Sequence, residues 1–255
     1  MKRMPLAYEK PFFYDKAFEW DCTNEVDFYE ECFRQFSRID VRRILEPGCG
    51  SGRITNEIVK RGYMYYGYDL SAEMIRFAIR KHQGLKNIRF FIGDMKEFIP
   101  PVKCDAAINT ITTFSYIIKD RDILSHLKSI KESLNPGGLY IIDFSYFHNT
   151  FEDGINEWEF TIDERPYNAI YKLDKADMKN MTQTESFTVL NSEGGTEIKS
   201  KHIKRLWIFN DFIQMVSSLK GIELCGYFSS DNYKRLTEKE ARESKDNIIH
   251  ILRFA

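Results

Sequence analysis

This sequence lacks the features of a disulfide scaffold, a membrane protein or a broad nucleic-acid binder. Its five cysteines (Cys22, Cys32, Cys49, Cys104, Cys225) are odd in number and scattered, with no C-x-x-C pair. That pattern argues against a disulfide framework or a cysteine-based zinc site and fits a reducing compartment. There is no basic surplus: Lys plus Arg total 37 against 38 Asp plus Glu, a formal net charge of -1. A wide nucleic-acid footprint normally shows as a clear excess of positive charge. No apolar run reaches the length of a membrane span, since the longest candidate, Leu139 to Phe147, is interrupted by Asp143 and Ser145. Met1 to Lys10 has no apolar core of the signal-peptide kind, so a cytoplasmic chain is expected. Internal repeats and low-complexity stretches are also missing.

What the chain has in quantity is aromatic side chains, 15% of its 255 residues, with 14 Tyr and 20 Phe. The length suits one large α/β domain or one domain with a sizeable insertion. Its organising stretch is Glu46-Pro47-Gly48-Cys49-Gly50-Ser51-Gly52-Arg53. An apolar strand from Val41 to Leu45 runs into it, and Ile54, Ile58 and Val59 recur at helical spacing behind it until Gly62. A strand, a glycine turn and a helix in succession present backbone N–H groups to a nucleotide-like ligand.

The rest of the first half alternates strand and helix. Met64 to Tyr68 ends in Asp69, and Ser71 is placed to cap a helix carrying Met74, Ile75, Ala78 and Ile79. Ile88 to Ile92 ends in Gly93-Asp94, and Cys104 to Ile111 is apolar and small, as a central parallel strand requires. Asp122 leads a helix that Asn135-Pro136-Gly137-Gly138 stops, and Leu139 to Phe144 follows as a fifth strand. Such alternation implies a parallel sheet covered on both faces. Beyond Asn149 the rhythm changes to four polar strands (158–163, 169–173, 182–190 and 196–208), read as an antiparallel insertion. Asn210 is expected to cap a helix that ends at Gly221. Ile222 to Phe228 and Ile248 to Phe254 complete the sheet, with Lys234 to Asn247 between them as a solvated loop or surface helix. The expected division is 1–148 for N-terminal helices and α/β core, 149–208 for the inserted lid and 209–255 for completion of the core. The aromatic lead-in from Tyr8 to Phe36 reads as a helix over one sheet edge, or, at Phe13-Tyr14-Asp15, as a flap over a cofactor.

The ligand can be narrowed by spacing. A dinucleotide fingerprint needs a third glycine where this chain has Arg53, which counts against an NAD-dependent oxidoreductase. Instead the pattern is E-x-G-x-G-x-G. Asp69 follows it at the separation of a βαβ unit and can accept hydrogen bonds from two ribose hydroxyls. Asp94 ends the third strand in a hydrogen-bond acceptor, and Met95 beside it offers soft apolar surface. With the Asn-Pro-Gly-Gly turn, these motifs resemble those of the class I S-adenosylmethionine (SAM) dependent methyltransferases over nearly the whole length, Tyr14 to Phe254. The chain is most similar to small-molecule members with an antiparallel β insertion after the fifth strand.

That resemblance implies a Rossmann-like, mostly parallel seven-stranded sheet whose last strand is antiparallel, with an acceptor pocket between the sheet's C-terminal edge and the insertion. It implies SAM as cofactor, S-adenosylhomocysteine as product, and a small molecule methylated at nitrogen or oxygen by in-line displacement. The implied cofactor residues are Tyr14, Glu46, Gly48, Cys49, Gly50, Gly52, Asp69, Leu70, Asp94, Met95 and Asn109. Glu46 is as readily a support behind the loop as a direct contact, and Cys49 is not expected to act as a nucleophile. For the acceptor, His148 and Tyr116 are the candidate catalytic residues, and Tyr116, Tyr146, Arg205 and Trp207 the candidate substrate contacts. His148 reads equally as a structural histidine, and Arg205 with Trp207 as a cross-strand surface pair. No metal is expected. An RNA or protein methyltransferase of the same fold is the nearest rival, although Asn109-Thr110-Ile111-Thr112 stands where an N-P-P-Y or D-P-P-Y tetrapeptide marks some of those enzymes. The oligomeric state is left open between monomer and homodimer.

Overall fold

The computed structural model describes residues 7–147 and 154–255. Its centre is a sheet in which each β-branched run has been given two faces. The parallel strands are β1 (Arg43–Pro47), β2 (Met64–Asp69), β3 (Ile88–Ile92), β4 (Cys104–Asn109) and β5 (Leu134–Phe144). β10 (Ile222–Ser229) and β12 (Ile248–Phe254) close the other side, and the order is β10-β12-β5-β4-β1-β2-β3. β12 runs antiparallel to both neighbours, as the resemblance implies. A two-residue strand, β11 (Arg235–Leu236), pairs with β10 as an eighth, outermost member that the charge-dense sequence there does not announce.

Alternation along the strands divides the core. Ile44, Ala106, Ile108, Leu139, Ile141, Ile249 and Ile251 face one helical layer, which includes α2 (Thr23–Phe36), α3 (Thr55–Lys60) and α4 (Ala72–Lys81). Leu45, Ala107, Tyr140, Ile142 and Leu252 face the other, with α5 (Asp120–Ser133), α6 (Phe209–Ser218) and α7 (Glu238–Glu243). Burial on both faces is why these strands read as continuous apolar runs. Ser71 caps α4 by accepting from Met74 N–H at 3.2 Å, as expected.

Three local readings change. α6 begins at Phe209 with Ile208 at its N-cap and no side-chain bond there, so Asn210 sits inside the first turn instead of capping it. α5 ends at Ser133 and the chain is extended from Leu134, so Asn135 to Gly138 is part of β5. A register irregularity opposite Cys104 and Ala106 takes up Gly137 at φ 92°, which a residue with Cβ would resist. Within 234–247, Thr237 and Glu240 form a reciprocal capping box that starts α7.

Between β5 and α6 lie four antiparallel strands in sequence order: β6 (Gly154–Ile162), β7 (Arg165–Leu173), β8 (Thr182–Asn191) and β9 (Thr196–Arg205). The chain leaves and rejoins the core at one place, where Phe147 N–H donates to the carbonyl of Trp207 at 2.8 Å. The aromatic lead-in divides between two partners. α2 packs on the large sheet, whereas α1 (Pro11–Ala17) packs on the inner face of the small one, through Tyr14 and Phe18 against Phe187 and Trp158. Lys81 at the end of α4 pairs with the buried Asp15 at 2.6 Å and anchors α1 over the core.

Candidate active site

β1 and β4 are neighbours, but the chain leaves them toward opposite sides, which opens a crevice at their C-terminal ends. A cavity of about 930 Å³ occupies it, within the range of small-molecule sites. Its floor is the glycine loop. Gly48, Gly50 and Gly52 have φ of 69°, 53° and 74°, but each is a glycine for its own reason. A Cβ on Gly50 would meet no atom within 4 Å and stand in the opening, whereas one on Gly48 would lie 2.6 Å from Thr113 Cγ2. On Gly52 it would meet Thr55 Oγ1 at 2.7 Å and His82 Nε2 at 2.9 Å, so Gly52 lets the loop close on the helices and lies off the cavity wall. Arg53 makes a two-pronged pair with Glu25, at 2.7 and 2.9 Å, and lies over Trp20, tying α2 to the loop.

Asp69, at the tip of β2, is held by two backbone donors, Gly50 N–H at 2.9 Å on one oxygen and Ser71 N–H at 2.8 Å on the other. Burial pushes its pKa up while these bonds pull it down. Each oxygen keeps a lone pair for the cavity that the residue lines. Leu70 beside it is exposed and also lines the cavity. At the tip of β3, Asp94 accepts from Lys96 N–H and pairs with its ammonium, both at 3.0 Å. Met95 next to it is fixed by His126, whose Nδ1 donates to the Met95 carbonyl at 2.8 Å while Nε2 accepts from Tyr140. Burial drives the His126 pKa down to about 4, so the imidazole is neutral and this tautomer is kept. Gly48, Gly50, Asp69, Leu70, Asp94 and Met95 therefore converge on one cavity, and Tyr14 lines it from the opposite side.

Three other expected cofactor residues stand behind the wall. Glu46 is 5% exposed and accepts from the Tyr65 hydroxyl, and burial raises its pKa to about 7. Cys49 is buried against Gly67, and burial pushes its thiol pKa well above the ordinary value. Asn109 donates to the Pro47 carbonyl at 2.7 Å and clamps the tips of β1 and β4 together.

The acceptor side differs more from expectation. Tyr116 lines the cavity and donates to Glu185. Tyr146, Trp207 and Arg205 do not line it. Tyr146 is 1% exposed and bonded to His250 at 2.7 Å. Trp207 is fully buried, stacked on Phe114 at 5.1 Å where the insertion meets the core. Arg205 donates to the Ile118 carbonyl at 3.0 Å, pairs with Asp120 and covers the Trp207 ring, stapling β9 to the start of α5. These three carry the attachment of the insertion: Arg205 ends β9 and Trp207 follows it on the returning chain, while Tyr146 lies on the outgoing chain and bridges to Trp207. His148 lies outside the described residues.

The wall opposite the glycine loop holds residues that the sequence reading passed over: Tyr8, Tyr171, Glu185, Ser200, His202 and Lys204. Glu185, 4% exposed on β8, accepts from the Tyr116 and Tyr171 hydroxyls and pairs with Lys204 at 2.7 Å. Thr112 links this wall to the core. Its Oγ1 accepts from Lys204 at 2.8 Å and its N–H donates to Asp143 at 2.9 Å. Ile111 and Thr112 sit at φ 53° and 55°, an unfavourable region for β-branched residues that these two bonds hold in place. One signal was available, an acid at an inward position in the alternating Glu185-Phe187-Val189 series.

The donor set suits an adenosyl sulfonium: an open glycine floor, a carboxylate with spare lone pairs for a diol, and an acid and a methionine at the next strand tip. Among the described residues no group of three or more His, Cys, Asp and Glu is placed to hold a metal, and no helix is long and apolar enough to cross a membrane.

A methyltransferase-domain family model matches residues 44–138, from β1 through the β5 glycines. A putative methyltransferase of Bacillus subtilis, YqeM, is 25% identical over 189 residues, covering 72% of this chain and 73% of that one. The crystal structure of a SAM-dependent methyltransferase from Clostridium acetobutylicum superimposes with a TM-score of 0.76 at 19% identity, over 97% of this chain and 98% of that one. SAM-bound CalS10, described as an amino pentose methyltransferase of Micromonospora echinaspora, gives 0.71 at 15% identity over 100% of both chains. With the motif residues gathered on one crevice, residues 44–138 match the methyltransferase-domain family, and the chain as a whole shares the fold of SAM-dependent methyltransferases.

Proposed function

We propose that the chain transfers a methyl group from SAM to a small-molecule nitrogen or oxygen acceptor enclosed between the strand tips and the inserted sheet. The observation that carries this reading is a single cavity walled by Gly48, Gly50, Asp69 and Met95 on one side and by Tyr8, Tyr116, Tyr171 and Glu185 on the other. Donor and acceptor subsites in separate cavities would not permit direct transfer.

When bound, SAM supplies a methyl carbon already activated by its sulfonium. The chain's own residues then have to align and exclude. Gly50 leaves room for the methionine portion, Asp69 takes the ribose hydroxyls, and Asp94 with Met95 takes the adenine. Tyr14 of α1 and Phe18 just past its end close over the cavity together with Trp158 and Phe187 of the insertion, which keeps water from competing. Aromatic and oxygen-rich walls suit a positive charge moving across the cavity, and fixed geometry supplies most of the rate gain expected for such a displacement. This roof also gives less support to an RNA or protein acceptor.

The test compares SAM, S-adenosylhomocysteine and NAD in equilibrium titrations, followed by a small-molecule panel with labelled methyl donor. Micromolar SAM binding and label on a small acceptor are expected. Tight NAD binding without SAM binding, or label transferred only to RNA or protein, would overturn the reading.

A further inference from the structure

Most histidine nitrogens of the described residues are already bonded. His82 meets Asn56 and the Ser51 carbonyl, His126 the Met95 carbonyl and Tyr140, and His250 Tyr146 and the Ile142 carbonyl. His202 differs. Its Nε2 is buried without a partner, whereas its Nδ1 does not share that isolation. A proton on Nε2 would be an orphaned buried donor, so the neutral ring carries its proton on Nδ1 and keeps a lone pair on Nε2.

The surroundings put that lone pair on the acceptor side of the cavity. His202 stands on β9 directly opposite Glu185 of β8, and both line the cavity. Two tyrosines pack on the imidazole. Tyr8, from the 3-10 turn Ala7–Glu9, lies 4.9 Å away, and Tyr116, from the turn Thr113–Tyr116, lies 5.8 Å away. Tyr8 is also 5.8 Å from Tyr14, and the charge of Asp69 acts on both of these phenols. A layer of tyrosines therefore separates His202 from the carboxylate proposed for the ribose. Ser200, two residues earlier on the same strand, also lines the cavity, and its buried Oγ has no partner either. Two unpartnered polar atoms side by side suit a ligand that completes their bonds.

The groups facing the ring from each packed element are Tyr8, Tyr116 and Glu185, with Lys204 on its own strand. Burial keeps Tyr8 and Tyr116 neutral. Burial also lowers the His202 pKa; Glu185 opposes that shift and Lys204 adds to it, so the ring is uncharged near neutrality.

We propose that His202 is the general base of the methyl transfer, accepting at Nε2 the proton that the acceptor nitrogen or oxygen must lose. The acceptor's lone pair forms the bond to the methyl carbon, and the C–S pair leaves with sulfur, giving neutral S-adenosylhomocysteine. The acceptor's proton passes to Nε2, so the positive charge of the sulfonium ends on an imidazolium opposite Glu185 and is discharged by proton release to water. A weak base suffices, because the acceptor's hydrogen becomes acidic only as its lone pair is donated. The inference rests on the transferase reading above and adds a proton acceptor to it.

The experiment uses the full chain, labelled SAM and two small nucleophiles, hydroxylamine, which must lose a proton after methylation, and azide, which has none to lose. His202→Gln keeps a polar side chain of similar reach that cannot take a proton. The hydroxylamine-to-azide turnover ratio is expected to fall at least about tenfold in the variant, with S-adenosylhomocysteine affinity within about twofold of wild type. The ratio of wild-type to variant turnover on hydroxylamine should shrink as pH falls through a midpoint below the ordinary histidine value, since protonation of hydroxylamine itself is common to both. A merely structural role would lower both nucleophiles together at every pH. Diethyl pyrocarbonate, which acylates uncharged imidazole, tests the lone pair on the wild type itself. Peptide mass spectrometry should find His202 modified before His82, His126 and His250. An unchanged hydroxylamine-to-azide ratio, no hydroxylamine turnover by the wild type, or sparing of His202 while those three react overturns the proposal. Failure of the wild type to bind SAM refutes the transferase reading instead, so the two failures are distinguishable.

Discussion

Glu46 provides a quantitative test of how the glycine loop is supported. The side chain lies under the loop, 5% exposed, with the Tyr65 hydroxyl as its donor. Burial raises its pKa, while the Tyr65 bond and the Arg53 guanidinium lower it, and burial wins, giving about 7 against an ordinary 4.5. The folded chain thus holds a proton on Glu46 through a range in which the unfolded chain has lost it. The stability this proton contributes is fully present below pH 4.5 and is lost as pH rises toward 7, ending at roughly 3 kcal/mol at 1.36 kcal/mol per pH unit. Glu46→Gln keeps an acceptor oxygen for Tyr65 and removes the titration. Wild type and variant should be of similar stability near pH 4.5, and the variant should be more stable by up to about 3 kcal/mol at pH 8. Urea denaturation of both proteins at half-unit steps from pH 4.5 to 8 measures the difference directly, and other titrating groups cancel in it. A difference that stays constant across that range would refute the reasoning, since Glu46 would then ionise alike in both states.

Asp69→Ala removes the carboxylate proposed to hold the ribose, and one charge-assisted bond of about 1.5–3 kcal/mol corresponds to a loss in SAM affinity of about 10- to 150-fold; calorimetric titration showing unchanged affinity would remove Asp69 from the site. Gly48→Ala combines φ 69° with a Cβ 2.6 Å from Thr113 Cγ2, so a stability loss of at least ~1 kcal/mol and weaker SAM binding are expected in thermal melts and titrations. Trp207→Ala should cost roughly 3–5 kcal/mol of stability through a cavity where the insertion joins the core. A variant of wild-type stability with impaired acceptor binding would instead return Trp207 to the substrate wall.

What the sequence made legible was whatever is written locally. The strand tips at Asp69 and Asp94 and the loop from Gly48 to Gly52 follow from neighbours in the chain, because the βα unit is itself local. Thr237 with Glu240 was also readable, as a threonine followed three residues later by a glutamate, but the surrounding charges hid it. Glu185 could not be located the same way. Its meaning comes from Tyr116, Tyr171 and Lys204, and Tyr116 is 69 residues away in the chain. Trp207 and Tyr146 looked like pocket aromatics because they flank the insertion. They are buried because the exit and return of that insertion pair with each other, a long-range fact with no periodic signature.

Three of the inserted strands show alternate residues to the cavity, Asn156 and Trp158, Tyr171 and Leu173, Glu185 and Phe187, and only β9 breaks the rule at Ile203. Gln183, Glu185, Phe187 and Val189 are buried on β8, while Thr182, Thr184, Ser186 and Thr188 between them are more accessible and polar. Acceptor preference can accordingly drift by point changes on one parity of a few strands while the donor loop, carried on other elements, is left untouched. An insertion or deletion of a single residue in β8 is another matter: it would turn the whole recognition surface outward at one stroke. Divergence among chains of this architecture should therefore show substitutions at alternate lid positions and length changes confined to the hairpin turns.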